Sequence, residues 1–123
     1  MKVLLYAREP AEAGNRLQNF LETHVPGSKM EVHRTIEGLA ERLKAPHKGE
    51  VVAVLQANSR EDLAALLSIR HRLQDIRTIL LAPDREEETI ALAHQLRPRF
   101  LSYANNDLYN VAAVLEKMLK NHG

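Results

Sequence analysis

Apolar residues along the chain fall into five short runs, and each run is followed by a stretch whose apolar positions recur at helical spacing. The first run is Val3–Ala7 (VLLYA). Pro10 follows it, suited to the first turn of a helix, where a missing N–H costs little. Residues 11–23 then place Leu17, Phe20 and Leu21 on one helical side, and Val25-Pro26-Gly27 ends that helix. The second run, Lys29–Arg34, alternates Met30 and Val32 with Glu31 and His33, as a strand with one wet face does. Thr35–Lys44 reads as a short helix with Ile36, Leu39, Ala40 and Leu43 on one side, and residues 45–49 form a turn.

The third run, Val51–Leu55 (VVAVL), is apolar throughout, which is the signature of a strand covered on both faces in a parallel sheet. Ser59 with Asp62 predicts the start of a helix over Arg60–Leu73. Thr78–Ala82 (TILLA) is the fourth run. Asp84 is read as the cap of a helix over Arg85–Leu96, with acids in the first turn where they favour the helix dipole. The last strand is Arg99–Tyr103 (RFLSY), and Asn106 or Asp107 caps a final helix to about Lys120, lined by Leu108, Val111, Ala112, Leu115 and Leu119.

Five strand–helix units in succession predict an α/β fold with right-handed crossovers and a doubly wound parallel sheet. Runs one, three and four are the most apolar and are expected at the centre, whereas runs two and five carry polar residues and are expected at the edges. The expected architecture is therefore a flavodoxin-like (βα)5 three-layer sandwich, strand order 2-1-3-4-5. A chain of 123 residues suits one domain, 1–123, with its own core.

Composition narrows the chemistry. Net charge is +1, from 17 basic and 16 acidic residues, which argues against an electrostatic nucleic-acid binder. A local basic cluster, Arg70-His71-Arg72, is read as a solvated helix face. The absence of cysteine excludes disulfides, thiol nucleophiles and thiolate metal sites, and fits a cytoplasmic protein. No apolar run approaches a membrane span, so no membrane partner is expected.

In a sheet of this kind ligands bind outside the carboxyl ends of the strands. The candidates there are Ala7, Arg8 and Glu9 after the first strand, Gln56, Ala57 and Asn58 after the third, Ala82, Pro83 and Asp84 after the fourth, and Tyr103, Ala104 and Asn105 after the fifth. The glycines form no phosphate-cradling loop. No two of the six histidines have the spacing of a zinc motif. Ser59 has no nucleophile elbow around it and is read as a cap. Arg8 is a built-in cation expected to pair with Glu9, Asp84 or a bound anion, or else a surface arginine at a helix start.

The stretch "KVLLYAREP" resembles the opening of the receiver domains of two-component response regulators, where a lysine and an apolar run lead into Asp-Asp-Glu-Pro. Length, element order and "LRPRFLSYANNDLYNVAAVLEKML" resemble the same family. The resemblance implies a CheY-like fold and places the family's functional positions. Its acidic Mg²⁺-binding pair matches Ala7 and Arg8, its phospho-accepting aspartate matches Leu55 or Gln56, its hydroxyl residue Ala82, and its lysine Tyr103. None of these is a residue that the phosphorylation chemistry can use. A degenerate pseudo-receiver is implied, with no catalytic residues, metal or cofactor, acting in bacterial signalling by binding a protein partner or itself. The resemblance also points to Thr89, Leu92, Tyr103, Tyr109 and Val114 as an interface. The alternative reading is a small-ligand or anion-binding domain that uses the strand ends near Arg8.

Overall fold

The computed structural model describes residues 2–8, 12–25, 29–45, 51–103 and 108–120. Within them, the five strands are β1 (Lys2–Ala7), β2 (Lys29–His33), β3 (Val51–Gln56), β4 (Arg77–Ala82) and β5 (Phe100–Tyr103). The helices are α1 (Glu12–His24), α2 (Ile36–Lys44), α3 (Arg60–Ser68), α4 (Arg70–Leu73), α5 (Glu87–Gln95) and α6 (Leu108–Lys120). All strand pairs are parallel, and the order is β2-β1-β3-β4-β5. The chain thus has the predicted flavodoxin-like fold, with the two polar runs at the edges.

Alternation along the central strands builds two cores. Leu4, Tyr6, Ala53, Leu55 and Leu80 face one side and pack with Leu39, Leu63, Leu66 and Leu73. Val3, Leu5, Val52, Val54, Ile79 and Leu81 face the other and pack with Leu17, Leu21, Val111 and Leu115. Helices α2 to α5 therefore cover one face, and α1 and α6 cover the other. Met118 completes the buried stripe of α6, while Leu108 and Leu119 are only partly buried. Among the described residues, no helix is long and apolar enough to cross a membrane.

Two helix boundaries depart from the sequence reading. The helix expected over Arg60–Leu73 breaks at Ile69, whose backbone (φ −114°, ψ 17°) leaves the helical region. The Ser68 hydroxyl bonds back to the Ala65 carbonyl at 2.5 Å, and Ile69 itself is buried, so α4 restarts in a direction that carries Leu73 and Ile76 into the same core. The helix expected from Arg85 starts at Glu87 instead. Asp84 is not its cap: Oδ1 accepts the Glu86 N–H at 2.9 Å and holds a turn before the helix. Thr35 and Ser59 cap α2 and α3, accepting from the Gly38 and Asp62 amides at 3.0 and 3.2 Å.

On the edge strand β2, Glu31 collects three basic groups: His33 Nε2 at 2.6 Å, Arg42 Nε at 2.8 Å and Lys2 Nζ at 3.4 Å. Burial alone pushes its carboxyl up, but His33, Arg42 and Lys2 together outweigh it and hold the group below the usual carboxylate value.

Candidate functional site

The strand ends bring most of the predicted residues into one row. Ala7 lies beside Gln56, Gln56 beside Leu81, and Ala82 beside Tyr103. β3 ends at Gln56, one residue beyond Leu55, so both candidates for the phospho-acceptor position lie at the end of this strand. Leu55 points into the α2–α5 core. Glu9, Ala104 and Asn105 lie outside the described residues.

Arg8 follows directly on β1, and among the described residues its partner is Asp62 rather than Asp84. Its guanidinium donates to Asp62 Oδ1 at 3.0 Å. Asp62 sits in the first turn of α3 and is only 2% exposed. Its second oxygen accepts the Asn58 N–H at 2.9 Å, and its own N–H donates to Ser59 Oγ. A carboxylate this buried is tolerated because each oxygen has a donor, one of them charged. The sequence shows Asp62 only as part of a cap. Its second role depends on a contact across 54 residues, which local spacing cannot reveal.

The same electrostatics reach Tyr6. Burial pushes its phenol up, the nearby Asp62 carboxylate adds to the rise, and Arg8 opposes it.

Two further arginines tie down this end of the sheet. Arg34 donates to the Ala7 carbonyl at 3.3 Å and to Asn15 and Gln18 of α1 at 2.7 and 3.3 Å. Arg60, at the start of α3, reaches the start of α5, where it bonds Glu86, Glu88 (2.8 Å) and Thr89 Oγ1 (3.0 Å). The Thr89 hydroxyl in turn holds the Asp84 carboxyl below its usual value, with help from the Glu86 N–H. Tyr103 lies under the Arg85 guanidinium, 4.0 Å from its ring centre.

These contacts revise the expected interface. Thr89 is fully buried and belongs to the Arg60 network, so it is not a surface residue. Leu92 and Val114 are partly buried against opposite cores. Tyr109 is 62% exposed, but it packs edge-on against Phe20 and His24 of α1, away from α5.

The described residues at the strand ends do not fit a divalent cation. Mg²⁺ takes hard oxygen ligands, and the Asp62 carboxylate already holds an arginine and a backbone amide. No group of three or more potential ligands occurs among the described residues.

Gln56 is instead a buried acceptor without a partner. It is 2% exposed, and its Oε1 has no hydrogen bond. Ser102 Oγ is in the same position, two strands away on the α1/α6 face, with Leu81 between them. An unsatisfied buried acceptor costs about 1–3 kcal/mol. Gln56→Met, close in volume, is therefore expected to raise unfolding free energy by about 1 kcal/mol. A higher urea midpoint with an unchanged m-value is the signature to measure; a lower midpoint would show that the amide is satisfied in solution.

No family model matches the sequence, and no curated protein matches it. Solved structures do share its fold, two of them over nearly the whole of this chain. One is an atypical orphan response regulator whose structure revealed a phosphorylation-independent regulatory mechanism: TM-score 0.68, 15% identity, covering 100% of this chain and 98% of that one. The other is the monomethylamine corrinoid protein of Methanosarcina barkeri: TM-score 0.65, 11% identity, covering 95% of this chain and 57% of that one. The chain is thus receiver-like in fold along its whole length. The second structure shows the same architecture in a corrinoid protein, so the site rather than the fold must carry the functional argument.

Proposed function

We propose that this chain is a receiver-like regulatory module that performs no phosphotransfer and acts through contact with a protein partner or a second copy of itself. The observation that carries this reading is the Arg8–Asp62 pair. At the strand end where the resemblance places metal-binding acids, a guanidinium is tied to the one buried carboxylate described there. Neither candidate for the phospho-acceptor position at the end of β3, Leu55 or Gln56, is a carboxylate that could form an acyl phosphate. The similarity to a response regulator with a phosphorylation-independent mechanism supports the same reading.

An anion site at Arg8 is disfavoured, because Asp62 already compensates that charge. The contact surface best supported is the aromatic cluster of Phe20, His24 and Tyr109 across α1 and α6, where the exposed tyrosine supplies an interface anchor. Incubation with acetyl phosphate and Mg²⁺ is expected to leave the intact mass unchanged. A stable phospho-adduct in the mass spectrum would overturn the proposal.

A further inference from the structure

The opposite end of the sheet holds a second feature. Between α4 with its following turn and the C-terminal half of α5 lies an open groove of about 870 Å³, a volume within the range of small-ligand clefts. It sits at the amino ends of β4 and β5, remote from the Arg8–Asp62 pair. Its lining is mainly polar: Arg70, Gln74, Asp75, His94, Gln95 and Arg97 surround a floor that includes Leu73 and Ile76.

Arg97 is held in an unusual backbone state. Its φ is +52°, the only positive value at a non-glycine among the described residues. Its N–H donates to the His94 carbonyl at 3.0 Å, closing α5 at the position where glycine is the usual occupant. Pro98 follows, and a residue before proline favours extended backbone. A long cationic side chain therefore occupies a position that disfavours it, and such strain gathers at functional sites.

The charges of the groove are also unmatched. Arg8, Arg42 and Arg60 each have an acidic partner within the fold. The side chains of Arg70 and Arg97 have no ion pair or hydrogen bond among the described residues, and Arg72 and Arg99 extend the basic sequence on either side. Asp75 supplies one acid against these cations. Two guanidinium forks facing a concave, polar space suit clustered anionic oxygens.

We propose that this groove binds a small polyanion, a ligand presenting clustered phosphate or carboxylate oxygens to Arg70 and Arg97. The inference does not depend on the absence of phosphotransfer, because the two sites lie at opposite ends of the sheet.

The test is an amide NMR titration of the full chain with inorganic pyrophosphate and, separately, with citrate. Saturable shifts centred on residues 70–76 and 94–97 are expected with at least one probe, and the responding probe identifies phosphate or carboxylate as the preferred chemistry. Arg97→Gly and Arg70→Gln should each weaken that response about tenfold, whereas Lys44→Gln on α2 should leave it unchanged. Arg97→Gly relieves the backbone, so its melting temperature should hold or rise and lost binding will not reflect unfolding. No saturable shift from either probe, shifts spread over all basic residues, or shifts that persist in Arg97→Gly would overturn the proposal.

Discussion

Asp62→Ala is expected to lower unfolding free energy by about 2–3 kcal/mol, because it strips a buried network of its shared acceptor. The Asn58 amide loses its hydrogen bond, α3 loses an anion in its first turn, and β1 loses its link to α3. Arg8→Ala should cost less, about 1–2 kcal/mol, since the Arg8 side chain is 54% exposed and solvent screens part of its attraction. That variant leaves a buried carboxylate with one donor in place of two. The double variant should therefore be more stable than the sum of the single losses implies, by roughly 1 kcal/mol. Urea denaturation of all four proteins completes the cycle. Strict additivity would show that the two side chains do not interact in solution, and would remove the main support for the proposed function.

Leu80→Ala is expected to be more damaging still, at about 3 kcal/mol or above, within the range for leucine truncation in a packed core. Leu80 is fully buried on β4, beside Leu55 and Leu101, with α3 and α5 covering that face. A strand hydrogen-bonded on both sides cannot move to fill the cavity. Leu92→Ala, at a partly buried position on the same core, provides the comparison and should cost clearly less. Thermal and urea unfolding measure both. Equal losses would mean that β4 adjusts around the missing side chain.

Most of the fold was legible because its determinants are local and repetitive. The apolar runs VVAVL and TILLA announce strands covered on both faces, and the alternation in KMEVH announces an edge. The break at Ile69 was not legible, since Leu66, Ile69 and Leu73 keep a helical period across it and only the backbone records the change. The placement of the candidate residues was legible too: Ala7, Gln56, Ala82 and Tyr103 each close a strand, and Arg8 follows the first. What replaced the missing chemistry was hidden. Arg8 finds Asp62, and Arg60 finds Glu86, Glu88 and Thr89, through contacts made only after the strands align. The resemblance set Thr89 in an interface, yet the neighbouring Glu86 and Glu88 draw Arg60 over it and it is buried.

The charged cluster around Glu31 bears on how copies of this chain can meet. An open sheet ends in two unpaired backbone ladders, and each is a template for another molecule's strand. On β2 that template carries Lys29, Glu31 and His33, with Lys2 and Arg42 drawn in beside them, so an incoming strand would have to strip water from an ionic cluster. β5 is only four residues long and gives a short foothold. Both margins resist edge-to-edge polymerisation. Any assembly this protein forms is thereby steered away from its backbone and onto its helices, where side chains rather than strand pairing choose the partner.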